Sequence, residues 1–140
     1  MAQARYSARK GNNLSLSAKD RTPRRILIID DNVDLATSLA ALLRASGHEV
    51  RLAHDGAWAL KDAQAFRPEF VFLDLGLPGM DGFQVARSLR REPGLESARI
   101  IAVTGDGHAE SREQALLAGC DQFILKPMDP AFLDSLLRAR

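Results

Sequence analysis

Three apolar runs in this 140-residue chain end on an acid or a hydroxyl, and a fourth ends on a lysine. "RILII" gives way to Asp30 and Asp31, "FVFL" to Asp74, "IIAV" to Thr104 and "QFIL" to Lys126. Three carboxylates, one hydroxyl and one ammonium form a defined chemical set if the fold gathers them. Two ionised carboxylates about 4 Å apart repel by roughly 4 kcal/mol at an effective dielectric near 20. A cluster of acids therefore needs a cation, or one member must hold a proton. A site of few oxygen ligands suits Mg2+, which keeps several waters and takes carboxylate and phosphoryl oxygens. A lysine supplies a point charge to the same phosphate, and a threonine hydroxyl a hydrogen bond. Aspartate is itself a covalent phosphoryl acceptor, giving an acyl phosphate. The set points to phosphoryl transfer onto one of the acids.

The elements that must position these residues alternate along the chain. Apolar runs at 25–30, 48–53, 69–75, 98–104 and 122–126 predict strands. Between and after them, 32–47, 55–68, 82–92, 109–119 and 130–139 predict helices. In the first helix Leu35, Leu39, Leu42 and Leu43 fall at helical spacing, Asp31 or Asn32 is placed to cap its start, and Gly47 marks its end. Asp55 and Asp129 are placed to cap the second and fifth helices. Five strands each followed by a helix predict a doubly wound α/β fold, a parallel sheet with helices on both faces. Such sheets bind ligands outside the carboxyl ends of their strands. In the flavodoxin-like strand order 2-1-3-4-5, the strands ending at Asp30, Asp74, Thr104 and Lys126 are neighbours. The second strand, ending at Ala53-His54, lies at the edge.

Composition sets the outer limits. With 46% apolar and 26% charged residues the chain reads as one soluble domain. No stretch approaches the roughly 18 uninterrupted apolar residues of a membrane helix, and the N-terminus lacks the apolar middle of a secretory signal. A lone cysteine, Cys120, fits a reducing, cytoplasmic setting. The formal net charge of +1 hides an asymmetry, since residues 1–25 hold seven basic groups and one acid, and the rest twelve and seventeen. Residues 1–22 lack apolar periodicity and read as a disordered basic tail ahead of a domain at 23–140. Only that tail offers a nucleic-acid contact. Asn13-Leu14-Ser15 matches a glycosylation sequon without the secretory signal that would give it use.

Four motifs now stand in order: "LIIDDN", "FLDLGLPGMDG", "IAVTGDG" and "AGCDQFILKP". Together they resemble the receiver domain of two-component response regulators, over about residues 24–140, and most of all the stand-alone and hybrid-kinase receivers. The resemblance implies Asp74 as phosphoacceptor. It implies Mg2+ held by Asp30, Asp31, Asp74 and the backbone carbonyl of Gly76, with Asp31 the direct ligand and Asp30 acting through water. It implies Thr104 as switch hydroxyl, Lys126 as ion-pair partner of the phosphate, a cis Lys126-Pro127 bond and Phe123 as aromatic switch. The implied phosphodonor is a sensor histidine kinase or histidine phosphotransfer protein. Output is expected through a downstream protein, onward transfer or a dimer, on the fourth helix, fifth strand and fifth helix. The chain ends after the fifth helix, so no helix-turn-helix output domain is expected within it.

Some positions depart from the usual pattern. Phe123 replaces a frequent tyrosine and can report only by packing in or out. Gly76 and Gly105 bring no side chain to shield a phosphate, while Asp106 adds an acid at the rim, so a short phosphorylated lifetime or easy onward transfer is expected. A phosphatase with an aspartate nucleophile would use the same metal and intermediate, but its second acid would stand where Gly76 is. A receiver-like module that no longer takes phosphate is a further alternative. Trp58 is expected in the core, Cys120 as a small buried residue, and His48, His54 and His108 in solvated loops.

Overall fold

Ile26, Leu27, Ile28 and Ile29 are all buried, and four consecutive apolar residues can be covered only by layers on both sides of their strand. The computed structural model describes residues 23–77, 81–105 and 109–139. The basic segment 1–22 with its sequon, and Asp106 and His108, lie outside the described residues. The elements are β1 (Arg25–Ile29), α1 (Val33–Ala45), β2 (Glu49–Ala53), α2 (Gly56–Phe66), β3 (Phe70–Asp74), α3 (Gly82–Arg91), β4 (Arg99–Thr104), α4 (Ala109–Leu117), β5 (Gln122–Leu125) and α5 (Pro130–Ala139). The sheet runs β2-β1-β3-β4-β5, and every adjacent pair is parallel. This is the doubly wound, flavodoxin-like arrangement that the alternating runs predict.

The strand period of two divides the core into two layers. Leu27, Ile29, Val71, Leu73, Ile100 and Ala102 join Ala59, Ala63, Val85, Ala86, Leu89 and Ala115 from α2, α3 and α4, and Ala118 just past α4. Ile26, Ile28, Phe70, Phe72, Ile101, Val103 and Ile124 meet Ala36, Ala40 and Leu43 of α1 and Leu133, Leu136 and Leu137 of α5. Each fully buried large side chain contributes about 1.5–3 kcal/mol. The whole sheet is therefore a rigid floor beneath whatever its strand ends carry.

Helix starts follow the sequence. Asn32, not Asp31, caps α1, its side chain accepting from the Leu35 amide at 3.1 Å. Asp55 accepts from Trp58 N at 2.8 Å, and Asp129 from Ala131 N at 3.0 Å. Gly47 adopts φ +98° just past α1, a conformation that favours glycine. At Gly82 the reason for glycine is space: a Cβ would stand 2.7 Å from both Cα and O of Leu75. That close approach seats α3 directly against the chain leaving β3.

Both α1 and α2 turn small residues to the sheet. The buried stripe of α1 is Ala36, Ala40 and Leu43, while Leu35 and Leu42 are 53% and 45% exposed. Alanines let the helix lie closer to the sheet, which turns the leucines outward. Trp58, expected in the core, is 59% exposed, with the Lys61 ammonium 5.2 Å from its ring centroid. Here too α2 presents its small residues, Gly56, Ala59 and Ala63, to the sheet, with Phe66 at the end. His48, expected in a solvated loop, is buried, and its Nδ1 accepts from the Arg24 amide at 3.0 Å.

Cys120 is buried as expected. Burial, then the charge of Asp121, raises its thiol to about 11 despite the opposing pull of Arg90. Arg90 itself clamps three segments. It donates to the carbonyls of Gly119 at 2.8 Å, Ala98 at 2.8 Å and Glu96 at 3.2 Å, and to the Asp121 carboxylate at 2.8 Å. The same Asp121 oxygen accepts from Ile100 N at 2.8 Å. Removing the guanidinium strands several half-buried acceptors. Arg90→Ala is expected to lower the unfolding free energy by roughly 2–4 kcal/mol in urea titrations. The exposed neighbour change Arg91→Ala should stay within about 0.5 kcal/mol.

Candidate functional site

The carboxyl ends of β1, β3, β4 and β5 converge on one cleft, and each brings its polar residue. Asp30 and Asp74 are only 9% and 8% exposed, and Thr104 8%, whereas Asp31 is exposed. Carboxylate oxygens of Asp30, Asp31 and Asp74 lie within 4.8 Å of one another. Lys126 reaches into the group, its Nζ 3.3 Å from Asp30 Oδ2 and 3.4 Å from Asp74 Oδ2. The backbone N–H of Lys126 donates to the Thr104 carbonyl at 2.9 Å. The Lys126-Pro127 peptide is cis.

Backbone amides fix the two inner acids. Asp30 Oδ1 accepts from Asn32 N at 2.9 Å, and Asp74 Oδ1 accepts from Gly76 N at 3.0 Å. Both are Asx turns, in which the side chain bonds the main chain two residues on. Each inner acid thus turns Oδ1 to the backbone and Oδ2 to the lysine. Since Asn32 caps α1, the Asp31 carboxylate is left for the cleft.

Two contacts were not read from the residue pattern. His54 Nδ1 donates to the Asp30 carbonyl at 2.9 Å, and Asp30 N donates to the Ala53 carbonyl at 3.0 Å. The edge strand β2 therefore steadies the Asp30 corner. An Asp followed two residues later by Asn or Gly was the available sign of the Asx turns. Nothing comparable marked His54. Phe123 is half-buried and packs against the layer formed with α2, α3 and α4. The neighbourhood of Gly76 is open: a Cβ there would stand 3.6 Å from Asp74 Oδ1, an ordinary contact. At Gly105 a Cβ would meet nothing within 4 Å.

Electrostatically the cleft is an excess of acid around one ammonium. Burial pulls the Lys126 pKa down, but Asp74 and then Asp30 outweigh it and hold the group above its usual 10.5. The donor set, three carboxylates with one lysine, leaves net negative charge that a hard divalent cation would neutralise. The residues present fit Mg2+.

Against known proteins, the family model described as the response regulator receiver domain matches residues 26–138. The chain belongs to this family. The DNA-binding response regulator MtrA of Mycobacterium tuberculosis is 37% identical over 121 residues, which cover 86% of this chain and 52% of that protein. The response regulator PleD of Caulobacter vibrioides is 37% identical over 116 residues, 82% of this chain and 25% of that one. The receiver therefore spans about half the length of MtrA and a quarter of PleD. Among solved structures, the receiver domain of sensor histidine kinase PA1611 from Pseudomonas aeruginosa superposes with a TM-score of 0.76 at 32% identity, covering 84% of this chain and 96% of that one. That structure holds a magnesium ion in its active-site cleft. Chemotaxis protein CheY4 of Vibrio cholerae gives a TM-score of 0.79 at 26% identity, covering 85% and 100%. Receiver domains serve phosphorylation-dependent signalling, taking phosphoryl groups from histidine kinases and binding Mg2+ at the acidic site.

The lysine's place among the acids has a pH consequence. Its raised pKa means that its stabilisation is complete below about 10.4 and lost only as pH climbs through the folded value. Lys126→Met leaves the three carboxylates without their counter-charge. In EDTA, its melting temperature is expected to fall below wild type at pH 7. The deficit should shrink at a pH above the raised Lys126 value, where the wild type loses the same charge. A deficit equal at both pH values would assign the loss to packing instead.

Proposed function

We propose that this receiver accepts one phosphoryl group on Asp74 from a histidine kinase or a histidine phosphotransfer protein, in the cytoplasm. The observation that carries the assignment is the position of Asp74: at the end of the central strand β3, almost buried, with Lys126 Nζ 3.4 Å from Oδ2. In the transfer, an Asp74 carboxylate oxygen forms the new O–P bond as the N–P bond of the phosphohistidine breaks, and the imidazole leaves with the electron pair. Asp30, Asp31, Asp74 and the Gly76 carbonyl would hold Mg2+, which when bound neutralises charge between the carboxylate and the incoming phosphoryl oxygens. Lys126 exchanges its contact with Asp74 for one with a phosphoryl oxygen. The Thr104 hydroxyl, at the neighbouring strand end, donates to another.

The product is a two-state signal. Contacts of Thr104 and Lys126 with the phosphate bias the domain towards a second arrangement, and Phe123, on the strand that leads into Lys126, packs differently in it. Downstream contacts then form on α4, β5 and α5, where Leu116, Leu117, Leu125 and Phe132 are exposed apolar side chains. The partner is a downstream protein, the next histidine of a relay, or a second copy. A nucleic-acid contact would belong to the basic segment 1–22 alone. The domain promotes its own phosphorylation and dephosphorylation and no other reaction.

Intact mass spectrometry after incubation with Mg2+ and a small acyl-phosphate donor checks this reading. One added phosphoryl group is expected on the wild type, and none on Asp74→Asn or in EDTA. Uptake that persists in Asp74→Asn would displace the acceptor assignment. The bare position at 76 makes a second expectation. Gly76→Leu sets apolar bulk beside Asp74 Oδ1, where water must approach, so the acyl phosphate should survive several-fold longer. An unchanged decay rate would show that position 76 does not control water access.

A further inference from the structure

At the pole opposite Asp74, the strands begin on arginine. Arg24 leads into β1, which opens on Arg25; Arg99 opens β4, and Arg67 follows the last turn of α2. All four line a single cavity of about 270 Å³, together with Glu69 and Ser97.

Two of these arginines have structural employment. Arg24 is buried, with Nε donating to the Leu137 carbonyl at 3.2 Å and a guanidinium nitrogen 3.8 Å from Glu69. Arg25 Nε donates to the Arg67 carbonyl at 2.9 Å, and its backbone N–H to Glu69 Oε1 at 3.0 Å. Glu69, the cavity's one acid, is thus already engaged by both. The Arg67 and Arg99 guanidinium groups have no hydrogen bond or ion pair among the described residues.

Arginines near helix C-termini ordinarily satisfy the last carbonyls. Arg90 meets loop carbonyls in a similar way, those of Ala98 and Gly119 at 2.8 Å each. Arg67 and Arg99 do not. They leave the cavity with more guanidinium charge than Glu69 can balance, and like charges held around one space repel. Guanidinium forks match phosphate oxygens two at a time. The cavity lies just below the usual range for small-molecule sites, about 300–1,000 Å³. That size suits a compact anion of several charges rather than an extended one.

We propose that this arginine-lined cavity at the amino-terminal pole of the sheet binds a diphosphate group, with Arg25, Arg67 and Arg99 as its ligands. The diphosphate is either free or the end of a nucleotide. Arg67 sits at φ 53°, so Asn, which tolerates that region, replaces it with little backbone strain.

The test is calorimetric titration of the full chain with inorganic pyrophosphate and with ADP, in EDTA without Mg2+. Saturable binding of pyrophosphate is expected, weakened at least about tenfold in Arg67→Asn/Arg99→Gln. Circular dichroism of the double variant should match wild type, and Arg87→Ala/Arg91→Ala on the outer face of α3 should bind normally. Equal affinity for the two probes would mark the diphosphate alone as the ligand, and tighter ADP binding a nucleotide. The proposal is overturned if pyrophosphate fails to bind at about 10 mM, or if citrate competes equally well. It is also overturned if the double variant binds like wild type, which would place binding elsewhere, the basic segment 1–22 included.

Discussion

One ammonium among three carboxylates is the constraint on which the rest of this domain depends. Asp30 and Asp74 are nearly buried, and burying ionised acids side by side is unfavourable unless a counter-charge and hydrogen bonds offset it. Lys126 supplies the charge, and the amides of Asn32 and Gly76 supply the bonds. Those three groups come from three different loops. Each loop can be placed only if its strand is held in register, and the two-layered apolar core does that. The same arrangement keeps the acids from being fully neutralised, so the cleft keeps a net negative charge that a cation would offset.

How much of this was legible in the sequence depends on what each residue's position is decided by. Strands buried on both faces show as unbroken apolar runs, so the polar residues that end them stood out, and the cleft could be assembled on paper. Caps were legible for the same reason: Asp55 and Asp129 precede their helices in the chain, and only the choice between Asp31 and Asn32 was open. Helix faces were not. In α2 the apolar side suggested Trp58 for the core, but α1 and α2 approach the sheet on alanine and glycine. There, side-chain volume outranks apolarity, because a small residue facing the sheet brings the whole helix closer. His48 and His54 escaped for another reason. Their partners are backbone groups of Arg24 and Asp30, and a backbone acceptor or donor leaves no mark on the residue pattern.

The charge distribution follows the same polarity as the sheet. Asp30, Asp31 and Asp74 stand where β1 and β3 end, and Arg24, Arg25 and Arg99 where β1 and β4 begin. Parallel strands with antiparallel helices place the helix N-termini at the acidic end and the C-termini at the basic end, so the pattern agrees with the helix dipoles at both poles. Arg90 and Arg24 show what ordinary complementation looks like, with carbonyl acceptors within 3.2 Å. Measured against them, Arg67 and Arg99 are charges that the fold gathers without using.

Coupling between the cleft and the outer face needs a mechanical link, and the backbone supplies one. The amide of Lys126 is bonded to the carbonyl of Thr104, so the proposed hydroxyl and ammonium contacts of the phosphate are tied to each other through β4 and β5. Phe123 lies three residues before the lysine on the same short strand and opposes Ala102 of β4. Ala102 offers no bulk to hold the ring in place, and Phe123 has no hydroxyl to fasten it outside. Its position is therefore set by packing alone. A small displacement of the β4 and β5 ends towards a phosphate would alter the space beside that ring directly, without needing a path through the rigid layers beneath.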